Sequence, residues 1–232
     1  MSLSTKLLLL LTSLGMASFA NTISFTGPSD TIIGDPYYYD IFGVQLTQPT
    51  GSNSDWVVTI ETNYPETIPG SPDVVPPYSY NGTLYGMGDL LFTWNGNDYG
   101  IVLSPHNGYA AGDLYEASGF QTSGQVMGIA NSPRPEVPVL LDAGGSLAGN
   151  GSLSGAETGN GVTTGLYTLT DDFSAPPGFL STGEFGVQVS SYVCANGYIT
   201  GTGSFPGEPV PEPGTFMLLA PALVMLGRRL MR

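Results

Sequence analysis

The sequence predicts an all-β protein, folded as a single antiparallel β-sandwich or flattened barrel. Apolar and polar residues alternate in several segments, as in Phe185, Val187 and Val189. Such alternation indicates half-buried strands. Asn-Gly pairs and other turn residues separate these segments, and no stretch of the body has the pattern of an amphipathic helix of about ten residues. The connections are too short for crossover helices, so the strands should pair antiparallel.

The individual strands follow from this alternation and from the turns between them. Asn95-Gly96-Asn97-Asp98 lies between two apolar runs, and its Asn-Gly pair predicts a hairpin. The expected strands are Thr22–Thr26, Tyr38–Leu46, Asp55–Glu61, Gly82–Gly86, Asp89–Trp94, Tyr99–Leu103, Asp113–Gly119, Val137–Asp142, Gly145–Ser154, Gly165–Thr170, Glu184–Ser190 and Tyr198–Gly203.

The N-terminus has the layout of a secretory signal peptide. Lys6 precedes an apolar run that begins at Leu7, and Ser18-Phe19-Ala20 supplies small residues at the −3 and −1 positions. Cleavage is therefore expected after Ala20. The predicted organisation is a signal peptide at 1–20, an extracytoplasmic β domain at 21–203, a linker at 204–209 and a C-terminal tail at 210–232.

The charge of the body limits the possible partners. In residues 21 to about 208, which we call the body, Arg134 is the only basic residue, and Glu212 is the only acidic residue outside it. The formal net charge is −14 for the whole chain and near −17 for the body, which has 18 acidic residues and one basic residue. Nucleic acid is therefore an improbable partner, because binding it requires clustered Lys and Arg. The chain is 41% hydrophobic and 11% aromatic, so it can form a core. Its single cysteine, Cys194, excludes an intrachain disulfide.

The C-terminal tail has three features in a fixed order. Val210-Pro211-Glu212-Pro213 is followed by a hydrophobic segment at 215–227, which we expect to form a short helix, and then by Arg228, Arg229 and Arg232. In this order the features resemble the PEP-CTERM sorting signal of bacterial exosortase substrates. The apolar run is well short of the roughly 20 residues that span a bilayer comfortably. The arginines favour a cytoplasmic C-terminus.

The resemblance implies a route and several partners. The Sec machinery would export the chain, the tail would hold it transiently in the inner membrane, and an exosortase would cut near Pro211-Glu212-Pro213. The body would then reach the cell surface or the extracellular matrix. The alternative is a permanent tail anchor. The stretch from Asp89 to Val139 resembles body domains found ahead of such tails, a resemblance that implies no known activity.

The body offers little that indicates catalysis or cofactor binding. Gly151-Ser152-Leu153-Ser154-Gly155 resembles a serine nucleophile motif, but Leu153 occupies the nucleophile position. Zinc would require more His and Cys residues than His106 and Cys194 provide. Calcium would need clustered carboxylates, of which Asp171-Asp172 is a candidate, although solvated turn acids are the simpler interpretation. We therefore expect a non-enzymatic protein without cofactors, and His106 as a turn residue.

The function of the body has two alternatives. The first is a structural protein of the cell surface or matrix. The second is a carbohydrate-binding module that recognises exopolysaccharide through exposed aromatic rings. The aromatic residues considered for this role are Tyr37, Tyr38, Tyr39, Tyr78, Tyr80, Trp56 and Trp94.

Overall fold

Antiparallel strands make up most of the described chain. The computed structural model describes residues 20–27, 40–49, 52, 54–63, 78–80, 83–85, 87–127, 134–157, 167–181, 183–191, 195 and 197–205. Within these ranges the strands are β1 (Asn21–Thr26), β2 (Ile41–Gln48), β3 (Asp55–Thr62), β4 (Tyr78–Tyr80), β5 (Thr83–Tyr85), β6 (Leu90–Trp94), β7 (Asn97–Ile101), β8 (Leu114–Ala117), β9 (Phe120–Thr122), β10 (Pro138–Leu141), β11 (Ser146–Gly149), β12 (Gly151–Glu157), β13 (Tyr167–Ser174), β14 (Phe185–Ser190) and β15 (Tyr198–Gly203). A short helix, α1 (Ser123–Met127), follows β9.

The strands form two large sheets and two small ones. The five-stranded sheet has the order β1-β2-β3-β13-β12, and the six-stranded sheet has the order β11-β8-β7-β6-β14-β15. Strands β9 and β10 form one two-stranded ribbon, and β4 and β5 form another. Every named pair is antiparallel, so the predicted β class and strand direction are confirmed.

The inward rows of both large sheets contribute to one hydrophobic core. Trp56 of β3, Phe92 of β6 and Phe185 of β14 are almost completely buried in it. Phe179, in the segment after β13, makes edge-to-face contacts with Trp56 and Phe92 at centroid distances of 6.0 and 5.9 Å. Such aromatic contacts add to the stabilisation that comes from burial.

A second, smaller core lies on the other face of the six-stranded sheet. Leu141 of β10 packs there with Leu91, Tyr109 and Tyr115. A Cβ atom at Gly100 of β7 would lie 2.8 Å from the Leu141 side chain, so this strand can pack so closely only with glycine. The β9–β10 ribbon therefore covers part of the outer face of this sheet.

The predicted hairpin between β6 and β7 is confirmed, but its turn is only two residues long, because β7 begins at Asn97 and not at Tyr99. Asn95 and Gly96 both have positive φ, at 50° and 79°, and Trp94 pairs with Asn97. Positive φ at both central residues matches the twist of the flanking strands, and Asn-Gly is well suited to it. The Asn107-Gly108 pair repeats this pattern next to His106, with φ of 49° and 85°, which confirms that His106 flanks a turn.

Several strand boundaries differ from the prediction by two or three residues, and two predictions were wrong by more. Gly145–Ser154 was expected to be one strand, but β11 and β12 belong to different sheets, and the chain changes sheet at Asn150. A Cβ at Gly149 would lie 1.8 Å from the Ser174 carbonyl oxygen, so glycine permits this close crossing. β13 continues beyond Thr170 through Asp171 and Asp172.

The end of the described region differs from the sequence expectation. Phe205 lies in the segment expected to be a linker, yet its ring is buried and stacks on Phe185 at a centroid distance of 5.7 Å. Ala20–Phe205 forms one compact unit. The ranges that the structure describes contain no helix long and apolar enough to cross a membrane.

Candidate functional site

Among the residues predicted for signal-peptide cleavage and sorting, only Ala20 lies in the part of the chain that the structure describes. Ala20, the expected cleavage residue, is exposed and directly precedes β1. The remainder of the expected signal peptide and the whole of 210–232 lie outside the described residues, as does Cys194. The structure therefore leaves the roles of Val210, Pro211, Glu212, Pro213, Arg228, Arg229 and Arg232 as predictions from sequence.

A buried Asp–His pair connects the six-stranded sheet to the β9–β10 ribbon. Asp89 precedes β6 and is 1% exposed. Its Oδ2 accepts a hydrogen bond from the Leu141 backbone N–H at 2.9 Å, while its own N–H donates to the Val139 carbonyl at 2.9 Å. His106 Nε2 lies 3.2 Å from the same Oδ2. This contact is within ion-pair distance, but it lacks the alignment of a well-formed hydrogen bond.

The hydrogen bonds of His106 determine what the pair can do. Nδ1 lies 2.8 Å from the Ser104 carbonyl, which can only accept, so Nδ1 carries a proton. If Nε2 and the Asp89 carboxylate were both unprotonated, their lone pairs would repel each other. The contact between them is therefore favourable only when one of the two carries a proton. Burial raises the pKa of Asp89. Burial alone would lower the pKa of His106, but its contact with Asp89 outweighs this and the net pKa is raised. Both ring nitrogens are thus engaged, and the pair acts as a structural tie.

A second buried carboxyl group lies on the core side of the five-stranded sheet. Asp171 belongs to the inward row of β13, between Leu169 and Phe173, and is completely buried. Its cross-strand neighbours are Val58 and Leu153. A Cβ at Gly112 would lie 3.2 Å from Asp171 Oδ1, so the Gly112 backbone lies against the carboxyl group.

The surroundings of Asp171 disfavour its charged form. Burial raises its pKa to about 7, the Ser152 backbone N–H lowers it, and the negative charges of Asp172 and Asp113 raise it further. Although this N–H is close, neither carboxyl oxygen receives a well-formed hydrogen bond. A buried carboxylate without a counter-charge is unfavourable, so Asp171 holds a proton up to near-neutral pH.

The expectation that Asp171 and Asp172 are both solvated turn acids was wrong. They are consecutive residues of a strand, so their side chains point to opposite faces, and only Asp172 is exposed. The alternation of Leu169, Asp171 and Phe173 was visible in the sequence, and extending the strand past Thr170 would have placed Asp171 inside. No group of three or more His, Cys, Asp or Glu residues in the described ranges is arranged to hold a metal ion.

The outer face of the five-stranded sheet carries a regular array of small polar side chains. Its central row crosses all five strands in register. The row consists of Ser24, Gln45, Thr59, Thr170 and Ser154, and we call this side of the sheet the hydroxyl face. Every side chain of the row is exposed or half-buried.

The two neighbouring rows are mixed, because they contain Val57, Gly43 and Ala156 beside their hydroxyl and acidic residues. On one side lie Thr22, Thr47 and Ser152, and the Thr22 and Thr47 hydroxyl oxygens are 3.1 Å apart. On the other side lie Thr26 and Thr168. The hydroxyl face also includes three acids, Asp55, Asp172 and Glu61, and no basic residue.

Among the aromatic residues considered for sugar binding, those described are unsuitable. Trp56 is 1% exposed in the main core. Trp94 is partly buried against the same core, 5.6 Å from the Phe179 ring. Tyr37, Tyr38 and Tyr39 lie outside the described residues, as do the side chains of Tyr78 and Tyr80.

An exposed ring that the sequence analysis did not select lies beside the hydroxyl face. Phe42 is 40% exposed and sits at the register shift between Ile41 and Gly43. Gly43 pairs with Glu61 and has no side chain to cover the ring. A bulge can re-aim a side chain in this way, whereas plain alternation does not reveal it from sequence.

Comparisons with known proteins identify no relative. No protein-family model matches the chain, and neither curated proteins nor solved structures give a match. The resemblance of the tail to PEP-CTERM signals therefore stays a prediction from its own residues.

Proposed function

We propose that the protein is an exported, non-catalytic component of the cell surface or extracellular matrix, sorted by an exosortase. The observation that carries this proposal is the order of the tail: Val210-Pro211-Glu212-Pro213, one short apolar segment, then Arg228, Arg229 and Arg232. On this proposal 1–20 is a signal peptide removed during Sec export, and the body is an antiparallel β-sandwich. The short apolar segment holds the chain in the inner membrane until it is cut.

Features of the body support a structural role. Only 10% of the chain is charged and Thr, Ser and Asn are abundant, which suits an aqueous matrix. The single His of the chain is engaged on both ring nitrogens, so it does not serve as a general base in this arrangement.

Processing of two matched variants tests the sorting proposal. Glu212→Ala changes the proposed motif, whereas Glu208→Ala changes a nearby glutamate outside it. In a host with its own exosortase, Glu212→Ala should accumulate uncut in the inner membrane, and Glu208→Ala should be cut and released like the wild type. Gel mobility and membrane fractionation provide the measurement. If Glu212→Ala is also cut and released, the motif is not the recognition element and the sorting proposal fails.

A third variant separates membrane retention from recognition. Replacing Arg228, Arg229 and Arg232 by Ser removes the charges that favour a cytoplasmic C-terminus. This variant should pass through the membrane unprocessed, because its apolar segment is short and contains Pro221.

The second candidate function is a carbohydrate-binding module that recognises exopolysaccharide. Phe42 favours it, because an exposed aromatic ring next to a polar face rich in hydroxyl groups suits a sugar polymer.

A further inference from the structure

We infer that the hydroxyl face, together with Phe42, is a binding surface for a neutral polysaccharide. This inference deepens the second candidate function, on which it rests, by assigning the surface and the charge class of the polymer.

The geometry of the face suits an extended polymer. Five strands about 4.8 Å apart make it about 19 Å wide, and side chains recur about every 6.8 Å along each strand. The pairing is continuous from β1 through β2, β3 and β13 to β12, with one register shift, at Phe42. A polymer lying across the strands therefore meets a repeated set of hydrogen-bonding groups.

The chemistry of the face suits hydroxyl-rich partners. Gln45 Nε2 donates to Ser24 Oγ at 3.3 Å, and Ser154 Oγ donates to the Thr170 carbonyl at 3.2 Å. Hydroxyl groups both donate and accept, so those on the face can also bond to sugar hydroxyls. Phe42 adds an apolar ring at the end nearest Glu61, against which the C–H face of a sugar ring can pack.

Charge selects among possible polymers. The body has one basic residue, Arg134, which lies away from this face with its guanidinium over the Tyr198 ring at 4.7 Å. Glu61 and Asp172 place negative charge in the rows on either side of the central row, and Asp55 adds a third acid on β3. An anionic polysaccharide or nucleic acid would be repelled, whereas a neutral polymer meets neither repulsion nor a requirement for counter-charge.

The outer faces of the two large sheets differ in how far other elements cover them. The β9–β10 ribbon packs on the outer face of the six-stranded sheet. In contrast, the central row of the hydroxyl face remains accessible. The five-stranded sheet therefore presents the broader open polar surface among the residues that the structure describes.

Paired isosteric substitutions test the surface. Thr59→Val/Thr170→Val removes two central hydroxyls while keeping β-branched shape, and Phe42→Ala removes the ring. The control, Thr200→Val/Thr202→Val, makes the same chemical change at exposed positions of β15 in the other sheet. Circular dichroism and thermal unfolding verify that each variant is folded.

Binding is measured by co-sedimentation with insoluble neutral polysaccharides, namely cellulose, xylan and β-1,3-glucan, and with calcium-gelled alginate beads as the anionic comparison. The full-length chain is purified in mild detergent, so the result does not depend on export. We expect the wild type and the β15 control to bind at least one neutral polymer. The Thr59/Thr170 and Phe42 variants should each bind it at least tenfold more weakly, and alginate should not be bound.

Three results would overturn the inference: no binding to any neutral polymer, preferential binding to alginate, or equal binding by the face variants and the wild type. None of these results bears on processing of the Glu212 variant, so failure of the binding surface and failure of the sorting proposal are distinguishable.

Discussion

Replacing Asp171 by Asn should make the protein more stable at pH 8 and leave its stability at pH 4 nearly unchanged. The usual pKa of an Asp carboxyl is 3.8, and burial raises that of Asp171 to about 7. Between these values the folded chain holds a proton that the unfolded chain has lost, so the free energy of unfolding falls as pH rises. At about 1.4 kcal/mol per pKa unit, the loss is up to about 4 kcal/mol above pH 7.

Asn is similar in shape to a protonated Asp and stays neutral, so the variant lacks this loss. Asp172→Asn is the matched control, because Asp172 is the next residue of the same strand and is exposed on the opposite face. Because the Asp172 charge raises the pKa of Asp171, this control should be slightly more stable than the wild type at pH 8, by less than about 0.5 kcal/mol as is usual for a surface position. Other titrating groups, including Asp89 and His106, are shared by all three proteins and cancel in the comparison.

Urea unfolding at pH 4, 6 and 8, followed by tryptophan fluorescence, measures the free energies. Equal stability of the wild type and Asp171→Asn at pH 8 would refute the reasoning. Lower stability of the variant at pH 8 would mean that ionised Asp171 has a favourable partner. Repeating the unfolding with added calcium tests for one such partner. If calcium stabilises the wild type but not Asp171→Asn, a cation binds at this carboxyl group. We expect calcium to leave the unfolding midpoint of both proteins nearly unchanged.

Three further substitutions and one control test the packing and the buried pair. His106→Ala leaves Asp89 without its partner and should lower the free energy of unfolding by about 3 kcal/mol near pH 6. Because the pKa of His106 is raised in the folded protein, the stabilisation that His106 provides is lost as pH rises, so the difference between variant and wild type should shrink toward pH 9. A pH-independent difference would contradict the ion pair. Gly149→Ala should lower the free energy of unfolding by about 2–3 kcal/mol. The control Gly43→Ala should change it by less than about 1 kcal/mol, because a Cβ at Gly43 would make only an ordinary contact at 3.5 Å. Equal effects would contradict the close approach of Gly149 to Ser174. Phe179→Ala should cost about 3–5 kcal/mol in chemical denaturation, and a cost below about 1 kcal/mol would show that its ring is not central to the core.

Local periodicity predicted much of the fold. Strands such as β3 and β14 were expected because their apolar residues fall on one face, and that face is buried in the structure. The β6–β7 hairpin followed from Asn95-Gly96, since both positions require positive φ. These features depend on neighbouring residues, so the sequence alone could reveal them.

Features that depend on distant contacts could not be predicted in the same way. The sheet change at Asn150 depends on the close approach of Gly149 to Ser174, which are far apart in the chain. β9 and α1 lack a clear alternation, and β9 is defined by pairing with β10. The Asp89–His106 tie joins residues separated by a hairpin, and the rows of the hydroxyl face depend on the order of the strands, which the sequence does not specify.

Intact mass spectrometry of the protein recovered from outside the producing cell tests the central claim most directly. The claim is that both termini are removed during export and sorting. The account predicts a chain that begins at Asn21 and ends at or near Pro211-Glu212-Pro213, with Arg228, Arg229 and Arg232 absent. Extracellular protein that retains Met1 and Arg232 would contradict it.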